Sequence, residues 1–379
     1  MTTETIPLSL YIHIPWCIQK CPYCDFNSHA ATGELPEKTY VNQLLLDLET
    51  QLNHVQNRSI HSIFIGGGTP SLFSPNSYVT LFDGLKKKLC FVDNIEITLE
   101  ANPGAIDTDH FDGFLKAGIN RLSIGVQSFQ DHQLKKLGRI HQANDANNAV
   151  ISAQKAGFKN INVDLMFGLP DQTIKDALFD LETAMTLSPQ HLSWYQLTLE
   201  PNTFFYRFPP ALPSDDLKFD IQMAGQALLA DREFQQYEVS AYAKNNAHCK
   251  HNVNYWQFGD YLGIGAGAHA KFTHLNTMQI TRRCNTKHPK AYLSANKHNL
   301  FETNVISQEE LPLEFMMNAL RLNATTSVNL FESRTGLHFS EIQKPLEKAR
   351  DMGFLNFDAQ EIKLTNQGRL FLNDVLALF

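Results

Sequence analysis

Three cysteines crowd into eight residues, Cys17-Ile18-Gln19-Lys20-Cys21-Pro22-Tyr23-Cys24, the densest chemistry in the chain. Thiolates are soft metal ligands, and three on one short loop can wrap a polynuclear centre. Iron–sulfur clusters are held by cysteines, normally four, so three leave one iron open to another ligand. A zinc site completed by His13 or His29 uses the same residue types, although zinc motifs usually bring their ligands as two separated pairs. A second candidate is Gly66-Gly67-Gly68-Thr69-Pro70, whose bare backbone can approach a ligand and offer it N–H groups. Taken alone, three glycines are more often a turn.

The cysteines follow an apolar run over 8–15, and further strand-like runs cover 60–65, 95–100, 121–127, 160–167 and 192–199. Helical stretches separate them, as over 37–55, where Val41, Leu44, Leu45, Leu48, Leu52 and Val55 recur at helical spacing. Strand then helix, six times over, predicts an α/β fold with a parallel sheet wound in βα units. Several strands are polar at every second position: Glu96, Thr98 and Glu100; Arg121, Ser123 and Gln127; Asn162 and Asp164. Side chains alternate between faces, so one face packs on helices while the other lines the lumen of an incomplete, TIM-like (β/α)6 barrel that holds a polar ligand. The cysteine loop then sits at the C-terminal mouth of that barrel.

Beyond Pro201 the signals weaken. A strand is expected over 234–241 and a glycine-rich turn over 262–270, while 271–304 lacks periodicity and reads as a connecting region after a core of 1–270. From 305 to 379 helices are expected at 311–322, 327–335 and 340–352, then a short β-element at 362–365 and a last helix from 366, a winged-helix-like order. Seven basic residues there face ten acidic ones, which argues against nucleic acid and for a cap or protein-contact role.

The whole chain of 379 residues carries a net charge of −7, with 43% apolar residues, the profile of a globular protein with no broad phosphate-binding surface. No apolar run approaches bilayer length. The opening residues have no basic segment followed by an apolar stretch and a cleavage site, so a cytoplasmic chain starting at Met1 is expected. Six cysteines are too few for a disulfide scaffold, which fits a reducing compartment.

The pattern C-x3-C-x2-C after a first strand resembles the radical S-adenosylmethionine (SAM) superfamily. The resemblance implies a 4Fe-4S cluster on Cys17, Cys21 and Cys24 whose open iron chelates SAM, with one electron from the cluster cleaving the sulfonium; that chemistry belongs to the cofactor. It also makes Gly67, Gly68 and Thr69 the loop that approaches the methionyl part of SAM. Within the superfamily the chain resembles the branch of oxygen-independent coproporphyrinogen III dehydrogenase. There Tyr11, Tyr23, Glu100, Gln127, Arg139, Asp164 and Gln196 match SAM-contacting positions. Each could equally be a buried polar residue satisfied inside the lumen.

Two departures matter. Phe26 stands where the dehydrogenase has a fourth cysteine, and only about ten residues precede the first strand. Both departures, with the tail Leu311-Pro-Leu-Glu-Phe-Met-Met-Asn-Ala-Leu-Arg-Leu322, resemble the haem chaperones of the same branch, the HemW family. That resemblance makes His251-Asn252-Val253-Asn254-Tyr255-Trp256 a haem motif with His251 as axial ligand, where otherwise a core histidine beside two aromatics would be read. Cys249 is an alternative thiolate ligand, more simply an inert thiol; Cys90 and Cys284 read as structural. The run 262–269 does not fit a dinucleotide fingerprint and reads as backbone closing over the SAM site, with His269 a core residue. Implied partners are haem, a haem acceptor such as a respiratory haem protein at the membrane, an electron donor such as flavodoxin, and room for a dimer. The alternative activity is oxidative decarboxylation of coproporphyrinogen III in porphyrin biosynthesis, disfavoured by Phe26.

Overall fold

The computed structural model describes residues 6–105 and 108–379; residues 1–5, with the expected start at Met1, lie outside the described residues. Twelve strands form one sheet: β1 (Leu8–Ile14), β2 (Ile60–Gly67), β3 (Phe91–Ala101), β4 (Arg121–Gln127), β5 (Asn160–Phe167), β6 (His191–Gln196), β7 (Gln235–Glu238), β8 (Ala241–Ala243), β9 (Asp260–Ile264), β10 (His269–His274), β11 (Gln279–Asn285) and β12 (Phe301–Val305). Their spatial order is β12-β11-β10-β9-β1-β2-β3-β4-β5-β6-β8-β7. From β9 to β6 all neighbours are parallel; beyond both ends they are antiparallel. The six expected βα strands are therefore present, in a mixed sheet wider than alternation alone indicates.

Helices α1 (Glu37–Glu49), α2 (Pro75–Lys86), α3 (Thr108–Ala117), α4 (Ala143–Ala156), α5 (Ile174–Thr186) and α6 (Asp215–Asp231) pack along one face. They cover the alternating Ile97 and Leu99, Leu122 and Ile124, Val163 and Leu165, all buried in one core. Fully burying each such side chain is worth roughly 1.5–3 kcal/mol. The run expected to be helical to Val55 stops at Glu49 and continues as a short 3-10 turn, Leu52–His54, with Gln56 and Asn57 in left-handed backbone. The expected strand over 234–241 is instead a hairpin, β7 and β8.

The largest departure lies after 260. Half of the expected glycine-rich turn is β9, which pairs with β1 in parallel, and the stretch 271–304 is not irregular but forms most of β10 together with β11 and β12. Two of its charges, Lys271 and Arg283, are buried and paired. Asp260 binds Arg58 at 2.8 Å and Lys271 at 3.0 Å; Asp47 of α1 binds Arg283 at 2.5 Å and also accepts from Tyr292 and Asn285. Breaking a buried pair by removing one partner costs about 3–5 kcal/mol, so these contacts fasten the added strands to the barrel.

The C-terminal helices α8 (Leu311–Ala319), α9 (Val328–Thr335) and α10 (Ser340–Asp351) pack around a second core that includes Phe315, Phe331, Ile342 and Leu346. A small antiparallel sheet of Thr326–Ser327, Glu361–Leu364 and Leu355–Phe357 completes the winged-helix-like order. Arg321, just past α8, reaches back to Glu238 at 3.2 Å and lies over the Trp256 ring at 4.4 Å.

Candidate functional site

The cysteine loop is held at both ends. Trp16–Cys17 pairs in parallel with His29–Ala30, and the Ala31 N–H donates to the Cys17 carbonyl at 2.8 Å. Between these points the Cys24 N–H closes a turn on the Cys21 carbonyl at 3.1 Å. None of the three thiols is in a disulfide, and all three line one cavity of about 400 Å³ at the C-terminal ends of the parallel strands. Arg139 donates to the Cys21 sulfur at 3.6 Å, placing a fixed positive charge beside the sulfur ligands. Burial pushes the Cys17 and Cys24 thiols up, so thiolates here need the charge of a metal centre.

The donor set fits a three-cysteine cluster better than Cys3His zinc. His13 and His29 line a different, adjoining cavity, which of the three cysteines includes only Cys24. His13 is moreover committed: its Nε2 lies 2.8 Å from the Asn27 carbonyl, which can only accept, so that nitrogen carries the proton and Nδ1 accepts from the Tyr11 hydroxyl at 2.9 Å. Burial holds His13 neutral, down to about 4.

The glycine run is stitched to the cysteine segment: the Gly68 N–H donates to Ile14 and the Thr69 N–H to Trp16, each at 2.7 Å. No side chain fits at two of its positions. A Cβ on Gly68 would lie 2.5 Å from the Trp16 carbonyl oxygen, and Gly67, at φ +114°, would meet the His13 ring at 2.5 Å. Gly67, Gly68 and Thr69 all line the cysteine cavity.

Strand alternation delivers the polar residues to the same place. Tyr23, Glu100, Gln127, Arg139, Asp164 and Gln196 line this cavity, while Tyr11 faces the adjoining one, which shares Gly67 and Glu100 with it. One cavity touched by residues of five consecutive strands, β2 to β6, requires a curved sheet, the partial barrel that the alternation predicts. Glu100 accepts from the Gly67 N–H at 3.1 Å, and what faces it is a second carboxylate. Burial first, and the charge of Asp164 second, push Glu100 up to about 8. Asp164 is also raised by burial, against hydrogen bonds from Asn162 at 2.8 Å and Ser123 at 3.0 Å. Two half-buried carboxylates near three sulfurs make a cavity suited to a cationic ligand. Arg139 lines the same cavity, and its buried Nε has no hydrogen-bond partner among the described residues, a donor left for a carboxylate. Gln127 sits at a register shift with φ +71° and accepts from the Tyr195 hydroxyl at 2.8 Å, backbone strain held by its surroundings.

The histidine motif forms α7 (Lys250–Trp256), packed on β2 and β1. The structure divides its residues. Asn252 and Trp256 line the cysteine cavity, Tyr255 lines the adjoining one, and His251 lines neither. His251 is 1% exposed, enclosed by the rings of Phe64, Tyr255 and Tyr11. Its Nδ1 meets the Ser62 hydroxyl at 3.1 Å and its buried Nε2 has no partner among the described residues; burial lowers its pKa to about 3. Cys249 is buried and pushed up to about 11, an inert thiol.

Other expectations change. His269 is exposed at the rim of the adjoining cavity rather than in the core, and Cys90 is exposed. The glycine-rich turn borders that adjoining cavity through Gly267, not the one holding the three sulfurs. Ser123 and Asn162 were legible as lumen residues from alternation alone. Tyr195 and Arg321, which also line the cysteine cavity, carried no sequence signal, because one hydroxyl and one distant arginine gain meaning only by tertiary contact.

The radical SAM superfamily matches residues 11–184 and the HemN C-terminal domain matches residues 306–371. Over 377 residues, covering 98% of both chains, the sequence is 52% identical to heme chaperone HemW of Haemophilus influenzae. It is 48% identical to the Escherichia coli protein of that name over 373 residues, again 98% of each chain. Among solved structures, Escherichia coli coproporphyrinogen III oxidase (HemN), a radical SAM enzyme, superposes with TM-score 0.83 at 24% identity, over 98% of this chain and 90% of that one. That likeness shows the fold.

Proposed function

The chain belongs to the HemW haem-chaperone family of the radical SAM superfamily, and from that membership we infer that it binds haem and passes it to an acceptor protein. Identities of 52% and 48% to named haem chaperones, each over 98% of both chains, carry this reading; the site chemistry agrees with it. Cys17, Cys21 and Cys24 would hold a 4Fe-4S cluster. Gly67, Gly68, Thr69, Glu100, Gln127, Arg139 and Asp164, with Tyr11, Tyr23 and Gln196 at the edges, would hold SAM. When bound, the cluster and SAM supply one-electron chemistry or a gate on haem transfer. The chain's own part is electrostatic: Glu100 and Asp164 favour the sulfonium and amine of SAM, and the free Arg139 donor favours its carboxylate.

The acceptor in this reading is a respiratory haem protein, with a flavodoxin-like donor reducing the cluster and the C-terminal unit 305–379 offering protein contacts beside a core of 1–270. We assign the work to the cytoplasm, which suits six unpaired cysteines. No helix among the described residues is long and apolar enough to cross a membrane. The test is haem titration of anaerobically reconstituted protein, assayed in parallel with coproporphyrinogen III, SAM and a reductant. Saturable Soret-band growth without protoporphyrinogen formation supports the chaperone; turnover of coproporphyrinogen without haem binding overturns it.

A further inference from the structure

We propose that haem docks in the cavity beside the cysteine loop, with His269 as its iron ligand and Lys20 and Lys287 at its propionates. This inference rests on the haem-chaperone reading above and assigns that cargo a site. The cavity has a volume of about 530 Å³, within the roughly 300–1,000 Å³ usual for cofactor sites. Tyr11, Tyr255 and Tyr261 form one wall, with the Tyr255 and Tyr261 rings edge to face at 4.3 Å, an apolar surface for a flat conjugated ligand. Lys20 and Lys287 belong to the same lining and are suited to carboxylates. Asp25 is the exposed acid there, and Glu100 is shared with the cysteine cavity.

An iron ligand must reach the cavity with a free imidazole lone pair. His251 does not line it; it lies behind Tyr11 and Tyr255, and those rings would have to part before its Nε2 met a metal. His13 has both ring nitrogens occupied. His29 donates from Nε2 to the Asn27 side-chain oxygen at 3.3 Å, which leaves its Nδ1 lone pair, but it is only half-exposed and packs edge to face on the His288 ring at 5.4 Å. His269 is exposed, opens β10 one residue after the Gly265–Gly267 turn, and among the described residues its Nε2 has only the Cys284 thiol at 3.6 Å, a weak partner that iron would replace. His251 is then a positioning residue that sets the tyrosine wall through α7. The two cavities share Cys24, Asp25, Phe26, Ser28, Gly67 and Glu100, so cargo and cluster would be separated by one layer of residues.

The experiment uses full-length, cluster-reconstituted protein and compares wild type, His269→Ala and His251→Ala by haem titration and low-temperature EPR. The expected result is loss of the histidine-ligated signature and at least tenfold weaker binding in His269→Ala, restored by added imidazole. His251→Ala should keep the ligand signature and change affinity less. On wild-type protein, haem dimethyl ester, whose propionates are neutral, should bind about tenfold more weakly than haem, and Lys287→Glu should erase that difference. Iron content and circular dichroism verify that each variant is folded; the ester comparison stands if a variant is not. An unchanged His269→Ala spectrum, or equal binding of haem and its ester, overturns the assignment while leaving the chaperone reading intact. Absence of saturable haem binding by wild type overturns both.

Discussion

Replacing Glu100 by glutamine separates two consequences of one half-buried carboxylate. In the ligand-free protein Glu100 is raised from its usual 4.5 to about 8 by burial and by Asp164. Near pH 7 it is therefore mostly protonated, and ionising it to meet a cationic ligand costs about 1.4 kcal/mol, a factor of about ten in affinity. SAM should bind about tenfold more tightly for each pH step upward between about 6 and 8, level off above that, and release close to one proton per SAM near neutrality. Glu100→Gln should remove this pH dependence and the proton release, and weaken SAM by about 1.5–3 kcal/mol above pH 8, the worth of a charged hydrogen bond. The sign for stability is opposite. A carboxyl whose folded pKa is raised favours the folded state most below 4.5, and that advantage fades as pH climbs and is gone above about 8. Without ligand, the glutamine variant should accordingly be more stable near pH 7, by up to about 3 kcal/mol. Isothermal calorimetry in two buffers of different ionisation enthalpy reads the proton release, and urea melts read stability. A SAM affinity flat from pH 6 to 8.5, with no buffer-dependent heat, would refute the electrostatic argument.

Three further outcomes follow from other parts of the molecule. Gly68→Ala should drive the cysteine segment off its seat, because its Cβ would meet the Trp16 carbonyl; iron per chain after reconstitution should fall well below wild type with the far-UV spectrum unchanged. Asp260→Ala strands Arg58 and Lys271 in the interior and should destabilise by about 3–5 kcal/mol in urea denaturation, whereas a surface pair such as Lys116–Asp112 should yield under about 1 kcal/mol. Phe315→Ala empties the middle of the C-terminal core and should cost about 3–5 kcal/mol; with separate cores, hydrogen exchange should rise in α8 to α10 while β1 to β6 stay protected.

By itself the sequence determined the chemistry and most of its frame. Cysteine spacing, the glycine run and the polar alternation on Glu96 to Glu100, Arg121 to Gln127 and Asn162 to Asp164 are local patterns, and strand periodicity turns each into a side of the sheet without knowledge of any distant residue. β4 and β5 therefore begin and end where alternation says they should. Only the tertiary structure decided the rest. Arg283 is a buried strand residue because Asp47, 236 positions away in the chain, neutralises it, and no local window contains that information; Lys271 is neutralised by Asp260, only 11 positions before it, but that pairing depends on how β9 and β10 lie together in the sheet. His251 and His269 exchange the places expected of them, the motif histidine enclosed and the incidental one exposed, because side-chain exposure depends on which helix packs across which strand end rather than on the residues beside it.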